Sequence, residues 1–229
     1  MILKDAVTVI TGSSSGLGAA LARVLAGEGA RVVLSSRSSS EAELKKIAAD
    51  LNAEYCLADV TNEEDVINLA DFAVKQFGRI DLWINNAGIW IPHAPIEEMN
   101  MKGVHDMVEV NLFGTIYGSK AALIQMKKQQ SGYILNILSV SALEGHVGSA
   151  GYGASKSGAA AFTKVLRKEA APFGVQVLEF YPGGMRTNLF EGKMPTSYDQ
   201  YMDPLDVARK VIDNLKLDEP VEELIIRHL

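Results

Sequence analysis

Short apolar runs alternate with helical patterns along the whole chain, and this alternation is the strongest constraint on its fold. The apolar runs predict strands over residues 7–10, 31–35, 55–58, 80–84, 133–138, 175–180 and 222–227. Capping residues and apolar spacing predict helices over 19–26, 40–51, 61–77, 104–129, 155–171 and 204–215. Strands that alternate with helices pair in parallel, with helices on both faces of the sheet. We therefore expect an α/β fold, a doubly wound parallel sheet in three layers, formed as one domain by residues 1–229.

The composition excludes several classes of protein. The formal net charge is −6 and no long basic run occurs, which disfavours nucleic acid as a partner. No apolar stretch reaches the roughly 18 residues of a membrane span, and we expect the N-terminus to lead into the first strand without a signal peptide. The single cysteine, Cys56, cannot form an internal disulfide and is expected to be a buried thiol. These features predict a cytoplasmic enzyme domain.

A glycine-rich turn follows the first predicted strand. Gly12, Gly16 and Gly18 lie between that strand and a helix, which is the context that a dinucleotide-binding turn requires. Gly12 permits the tight turn, Gly16 lets the backbone approach a pyrophosphate, and Gly18 lets the helix pack closely on the sheet. N–H groups at the start of the helix then bind phosphate. The residues predicted to form this cradle are Gly12, Ser14, Ser15, Gly16, Leu17 and Gly18. The alternative is a flexible glycine and serine turn.

A serine ends the fifth apolar run, and a tyrosine and a lysine four residues apart follow it. On a helix, Tyr152 and Lys156 share one face, with the ammonium close to the phenol. A free tyrosine has a pKa of about 10, and a nearby cation favours the phenolate. A shift of roughly three units needs roughly 4 kcal/mol, which lysine and a cationic nicotinamide ring would supply together in a water-poor cleft. Such pairs also arise by chance on helices, so the interpretation depends on Ser139 and on the glycine-rich turn.

Small and polar residues occur where six of the predicted strands end. Ligands on a parallel sheet bind outside the carboxyl ends of its strands. We therefore expect one site built from residues 12–18, 35–38, Asp59 and Val60, 85–88, Ser139, and 181–184.

In order and spacing, these motifs resemble those of the short-chain dehydrogenase/reductase family over essentially the whole chain. The matching positions are Thr11, Gly12, Gly16, Gly18, Asp59, Asn85, Asn86, Ala87, Gly88, Asn111, Ser139, Tyr152, Lys156, Pro182, Gly183 and Thr187. The resemblance implies one Rossmann-like domain with strand order 3-2-1-4-5-6-7. It also implies hydride transfer between NAD(P)(H) and an alcohol or ketone, without a metal.

The resemblance assigns catalytic roles to four residues. Tyr152 is implied to be the general acid in reduction and the base in oxidation, with Ser139 holding the substrate oxygen beside it. Lys156 is implied to bind the nicotinamide ribose and to lower the pKa of Tyr152. Asn111, inside the long predicted helix, is implied to hold a water that links Lys156 to solvent. The alternative for Asn111 is that it satisfies backbone groups of the helix.

The same resemblance assigns the cofactor contacts. Asp59 is implied to accept a hydrogen bond from the adenine amino group, with the backbone of Val60 beside it. Thr187 is implied to bind the nicotinamide carboxamide or, with Met185, the diphosphate. The other implied cofactor-site residues are Asn86, Ala87 and Gly88 along the adenine ribose, Tyr152 and Lys156, and Pro182 and Gly183 after the sixth strand. Asn85 and Asn86 are alternatively caps of their strand.

The end of the second predicted strand indicates which cofactor is bound. A dinucleotide fold that selects NAD carries Asp or Glu about 20 residues past the glycines, on the ribose 2′-hydroxyl. Here that position is Ser36, followed by Arg37 and Ser38, and no carboxylate occurs before Glu41. A guanidinium pairs with a 2′-phosphate, whereas a carboxylate repels it. We therefore predict NADP(H) rather than NAD(H). The alternative for Arg37 is a solvated surface residue.

The segment 182–203 is too long and irregular for an ordinary connection and is predicted to be a substrate loop. Arg186 has no arginine neighbour that would mark a carboxylate or phosphate site. The histidines are too dispersed to indicate a metal. A small, mostly apolar carbonyl or alcohol is therefore the predicted substrate. The residues expected on its side are mostly apolar or aromatic: 89–91, His93, 141–146 and 185–194, with Trp90, Leu143, Met185 and Phe190 prominent.

Two function classes stay open at this point. The first is an active NADP(H)-dependent carbonyl reductase or alcohol dehydrogenase. The second is a catalytically silent module that binds NADP(H) as a sensor. The intact set of Ser139, Tyr152, Lys156 and Asn111 favours the enzyme.

A run of small residues after Lys156 bears on assembly. Family resemblance implies that this helix and the long predicted helix pair with their copies across a two-fold axis, giving a homodimer or homotetramer. The alternative is that the small residues only seat the helix on its own sheet. The predicted contact residues are 158–165, Leu112, Ile116, Ala121 and Ala122.

Overall fold

A computed structural model describes residues 1–190, 194 and 198–227 of this protein. Seven parallel strands form one sheet in the order β3-β2-β1-β4-β5-β6-β7, which confirms the predicted fold class. The strands are β1 (Val7–Thr11), β2 (Arg31–Ser36), β3 (Glu54–Leu57), β4 (Leu82–Asn85), β5 (Gly132–Ile137), β6 (Val175–Pro182) and β7 (Glu223–Ile226). The helices are α1 (Gly16–Gly27), α2 (Glu41–Leu51), α3 (Glu63–Phe77), α4 (Met101–Val108), α5 (Gly114–Gln129), α6 (Ala150–Ala170) and α7 (Pro204–Leu215).

Two apolar clusters, one on each face of the sheet, hold the three layers together. One joins α1, α2 and α7 to the sheet through residues such as Leu21, Leu44 and Val211. The other joins α3, α5 and α6 to the opposite face, with Trp83 fully buried at its centre. Because both faces are covered, the strands are apolar on both sides, and their polar carboxyl ends lie along one edge.

Two of the predicted helices differ most from the observed ones. The predicted helix 104–129 is α4 and α5 joined by a π-helical turn, Glu109–Phe113. Helix α6 begins at Ala150, five residues before the predicted start, so Tyr152 lies in its first turn. The glycines there disfavour a helix locally, but tertiary packing requires one of them: a Cβ on Gly151 would lie 2.7 Å from Val104 Cγ2.

Within the described residues, no helix is both long and apolar enough to cross a membrane. The same residues contain no group of three or more His, Cys, Asp or Glu side chains arranged to hold a metal ion.

Candidate active site

The end of β4 clamps the glycine-rich turn. The Asn86 side-chain amide donates to the carbonyl oxygens of Thr11 at 2.9 Å and Gly12 at 3.0 Å. Gly12 has φ +64°, and a Cβ there would lie 2.7 Å from Ala87 Cα. A Cβ on Gly18 would lie 2.4 Å from the Gly12 carbonyl oxygen. Glycine is therefore required at both positions, and the turn is rigid rather than flexible.

Helix α1 begins at this turn with free donor groups. The Ser15 side chain makes no capping hydrogen bond, and the first N–H groups of a helix have no partner within it. These groups and the helix dipole favour an anion. Thr187 lies against Gly16, because a Cβ on that glycine would be 3.3 Å from the threonine methyl. The residues of this cradle, with Ser14 and Leu17 between them, therefore fit the pyrophosphate of a dinucleotide.

Ser139 and Tyr152 meet beyond the end of β5. Ser139 is buried and its Oγ accepts a hydrogen bond from the Ser141 N–H at 3.1 Å, which leaves its own proton free to donate. Burial raises the pKa of Tyr152 to about 12, and the hydrogen bond with Ser139 opposes that rise. The phenol lies deep among protein atoms although the residue as a whole keeps part of its surface exposed.

The joint effect of Lys156 and a nicotinamide ring on the pKa of Tyr152 stays a prediction. In the protein alone the pKa of Tyr152 is raised, not lowered, and Lys156 is not among the causes that shift it. Removal of the phenol from water outweighs the attraction of a cation one helical turn away. Tyr152 is therefore protonated at neutral pH, as a proton donor must be.

Lys156 is a buried cation at the end of the central strands. Its Nζ donates to the Ile137 carbonyl oxygen at 2.9 Å, and 4% of the residue is exposed. Burial lowers the pKa of Lys156 to about 8. The ammonium lies close to Gly88, where a Cβ would be 3.6 Å from Nζ. A lysine with this pKa exchanges its proton near neutral pH.

Asn111 lies in the π-helical turn between α4 and α5, and its side chain is fully used. Its Nδ2 donates to the Ile89 carbonyl and to Ser155 Oγ, both at 3.0 Å, and its Oδ1 accepts from the Ile89 N–H at 2.8 Å. Its own carbonyl accepts from the Thr115 hydroxyl at 2.8 Å. Asn111 thus fixes the segment after β4 to α6. Its side chain bonds the backbone of Ile89 in that segment and not the backbone of its own helix. Single π-helical turns are rare inside α-helices, and they occur frequently at functional sites.

A buried polar network supports this arrangement, and sequence reasoning identified only its first member. Asn85 donates to Asn136 Oδ1 at 2.8 Å and to Ser119 Oγ at 3.0 Å, and it accepts from Trp83 Nε1 at 2.7 Å. Asn136 donates in turn to Thr163 of α6 at 2.8 Å. The network links β4 and β5 to the helices that carry Asn111 and Tyr152. Amide side chains inside otherwise apolar strands were the available signal.

The ends of β2 and β3 present the residues predicted for the adenosine half of the cofactor. Ser36 is buried, whereas Arg37 and Ser38 are exposed. Arg37 forms no ion pair within the described part of the chain, and the nearest following acid, Glu41, pairs with Lys45 at 2.8 Å. Asp59 accepts hydrogen bonds from both the backbone N–H and the hydroxyl of Thr61. Val60 is buried under the start of α5.

The segment after β6 crosses the site. The N–H of Gly183, after Pro182, donates to the Ile226 carbonyl oxygen at 2.8 Å, and Met185 pairs with Met202. Thr187 is buried and its Oγ1 accepts from the Leu189 N–H at 3.4 Å. Positions 191–193 and 195–197 of the predicted substrate loop lie outside the described residues.

Comparison with known proteins agrees with this geometry. A family model described as short chain dehydrogenase matches residues 6–197. An uncharacterized oxidoreductase of Staphylococcus saprophyticus is 38% identical over 214 residues, covering 92% of this chain and 91% of that protein.

Two solved structures share the fold over nearly all of both chains. An alcohol dehydrogenase from the archaeon Thermococcus sibiricus, complexed with 5-hydroxy-NADP, is 33% identical with a TM-score of 0.89, covering 98% of this chain and 97% of that one. A levodione reductase is 28% identical with a TM-score of 0.84, covering 97% of this chain and 96% of that one. The glycine cradle, the serine–tyrosine pair and the buried lysine thus occur in a chain that belongs to the short-chain dehydrogenase family, a family of oxidoreductases.

Proposed function

We propose that this protein is an NADP(H)-dependent oxidoreductase that interconverts a carbonyl compound and a secondary alcohol, with Tyr152 as the acid and base. The observation that carries the proposal is that the Ser139 hydroxyl lies close enough to the Tyr152 phenol, beyond the carboxyl end of β5, to lower the pKa of Tyr152. Two hydroxyls held together in this way can both contact one substrate oxygen. The family and the alcohol dehydrogenase neighbour support the reaction class.

In the reductive direction, Tyr152 donates its proton to the carbonyl oxygen. Ser139 donates a hydrogen bond to the same oxygen, since the Ser141 N–H occupies its acceptor side and leaves its proton free. When bound, the nicotinamide would supply the hydride in reduction and accept it in oxidation. General acid–base catalysis of this kind contributes about 10²–10⁴-fold to the rate.

Lys156 has two tasks in this proposal. Its ammonium would hold the hydroxyls of the nicotinamide ribose, which fits a cation at the carboxyl ends of β4 and β5. Because its pKa is about 8, it also exchanges protons readily at neutral pH and can help to restore the proton on Tyr152. Asn111 contributes by holding the segment of Ile89 against α6.

The choice of NADP(H) over NAD(H) rests on Arg37. Its guanidinium is exposed at the carboxyl end of β2 and makes no ion pair with the described residues, and Ser36 stands where an NAD-selective carboxylate is expected. A guanidinium binds a phosphate through parallel N–H donors and is always charged. The solved alcohol dehydrogenase with a bound NADP analogue supports the same choice.

A direct absorbance assay of nicotinamide oxidation tests the proposal. Purified protein is mixed with NADPH or NADH and a panel of neutral ketones, aldehydes, diketones and 3-oxo acids, and the loss of reduced-nicotinamide absorbance is followed. We expect turnover of at least one neutral ketone with NADPH, and slower turnover with NADH. Tight NADPH binding without turnover of any carbonyl or alcohol would instead support the silent binding module.

A further inference from the structure

Five aromatic side chains form a connected group over the carboxyl edge of the sheet. This aromatic cluster consists of Trp90, His93, Phe190, Tyr198 and Tyr201. The Trp90 and Phe190 ring centroids are 5.1 Å apart at an interplanar angle of 71°, and Trp90 is 5.5 Å from His93. Phe190 also contacts Tyr201 at 5.6 Å and Tyr198 at 6.1 Å. The cluster therefore joins the segment after β4 to the segment after β6.

The position of the cluster is fixed from both sides. Residues 91–94, which directly follow Trp90, line a small pocket together with Tyr152. On the other side, the Tyr201 ring sits on the backbone of Gly184, where a Cβ would lie 2.6 Å from three of its ring carbons. Tyr198 donates to the Thr187 carbonyl oxygen at 3.4 Å, and Thr187 packs on the glycine-rich turn. The aromatic cluster thus reaches the pocket of Tyr152 through His93 and the glycine-rich turn through Tyr198 and Thr187.

The Arg186 guanidinium, next to the cluster, is already engaged. Arg186 donates to the Tyr201 carbonyl oxygen at 2.6 Å and pairs with Asp203 at 3.6 Å. Burial and the neighbouring His146 both lower the pKa of His93, so its neutral form is favoured. Trp90 and Phe190 keep part of their surface exposed. Of the described residues at this place, a substrate therefore meets ring faces and edges instead of a free cation.

We propose that the Trp90–Phe190 pair is the specificity element of this site and selects neutral cyclic or aromatic carbonyl compounds over open-chain and anionic ones. A planar or ring-shaped substrate presents its flat face to the aromatic rings, whereas a flexible chain must lose rotational freedom to do so. Among the described residues beside these rings, Arg186 is already paired, so an anionic substrate would be desolvated there without a free cation as its partner. This inference rests on the proposed function and names the substrate class of that same site.

Matched substrates test the specificity directly. Cyclohexanone, its open-chain counterpart hexan-2-one and the anionic oxocyclohexanecarboxylate are compared by kcat/KM with NADPH. We expect the native protein to favour cyclohexanone by about tenfold or more over each of the others, the usual range for apolar pocket discrimination. Phe190→Leu should lower kcat/KM for cyclohexanone about tenfold and leave that for hexan-2-one within about twofold. Phe77→Leu, the same replacement at the end of α3, should change neither value.

A binding measurement separates this inference from the catalytic proposal. The chain has two tryptophans, of which Trp83 is fully buried in the core, so ligand-dependent changes in emission report on Trp90. With NADP⁺ present, a ketone cannot react. Cyclohexanone should then change the emission at lower concentration than hexan-2-one, and Trp90→Phe should abolish the change.

The outcomes are distinguishable. Equal kcat/KM for the ring and chain substrates, or equal losses for both in Phe190→Leu, would overturn the specificity inference while the proposed function stands. Preference for the anionic ketone would overturn it in the same way. Absence of turnover with every carbonyl would reject the proposed function and this inference together.

Discussion

The Lys156 ammonium donates a hydrogen bond to the carbonyl oxygen of Ile137, 2.9 Å away at the last residue of β5. The contact ties α6 to the central sheet, but one carbonyl oxygen compensates a buried charge poorly. The pKa of Lys156 falls from 10.5 to about 8 for this reason. At roughly 1.4 kcal/mol per unit, the charged form costs about 3 kcal/mol at neutral pH relative to a solvated lysine.

Lys156→Met should stabilise the protein in the absence of cofactor. Methionine fills similar space without a charge, and the loss of the hydrogen bond to Ile137 offsets part of the gain. We expect the free energy of unfolding at pH 7 to rise by about 1–2 kcal/mol in urea titrations, while turnover falls by at least about 100-fold. Lys164→Met, on an exposed position of the same helix, is the matched control and should change both little. Destabilisation by Lys156→Met would show that the buried charge is well compensated.

The stability gap between Lys156→Met and the native protein should narrow as the pH rises. The folded protein releases the Lys156 proton near pH 8, whereas the unfolded chain keeps it until about pH 10.5. Between these values the unfolded state binds more protons, so the native protein gains stability with increasing pH. Unfolding titrations of both proteins from about pH 7 to about pH 9.5 measure the difference. A gap that stays constant or widens would mean that Lys156 has an ordinary pKa.

Arg37→Ala should weaken NADPH binding by about 1.5–3 kcal/mol, the scale of a hydrogen bond to a charged group. NADH lacks the 2′-phosphate, so its binding should change little. Calorimetric titration of the native protein and of Arg37→Ala with each cofactor measures both affinities. Arg23→Ala, which removes another exposed arginine, on α1, is the control. Equal losses for both cofactors would contradict the role assigned to Arg37.

The outward faces of α5 and α6 support the proposal of a homodimer or tetramer. Ile124 of α5 is 51% and Val165 of α6 56% exposed, and Ala161, one turn before Val165, is also exposed. By contrast, Ala121, Ala122, Ala159 and Ala160 are buried against their own sheet, so the predicted contacts at those four positions are wrong. At these positions the small residues pack the helices against their own sheet, which is the alternative interpretation given above.

Ala161→Glu should dissociate the assembly, because a charge buried in an apolar interface lacks a partner. Light scattering at micromolar concentration should change from an oligomeric to a monomeric mass. Ala154→Glu, at an exposed position nearer the start of α6, provides a comparison. A monomeric native protein would contradict the proposed assembly outright.

The alternation of strands and helices was predictable because it depends on local patterns, whereas the strand order, which the structure confirms, followed from the family resemblance. Apolar runs ending in small polar residues marked the strands, and the glycine spacing marked the phosphate turn. The π turn at Asn111 was not predictable, since its side chain is stabilised by Ile89 and Ser155, which are distant in sequence. The early start of α6 was missed because Gly151 has a low helix propensity. The close approach of Val104, which leaves no room for a side chain at this position, is a tertiary contact that the sequence does not reveal. The raised pKa of Tyr152 in the protein alone was not predictable from the sequence, because burial is a tertiary property.

Tyr152→Phe tests the central claim most directly, since it removes only the phenolic oxygen that is proposed to carry the proton. Turnover of a confirmed ketone with NADPH should fall by about 10²–10⁴-fold or more, while the affinity for NADPH, measured by calorimetry, stays close to native. That result would establish Tyr152 as the proton donor in a site that is otherwise intact. Near-native turnover by Tyr152→Phe on the same ketone would contradict the mechanism.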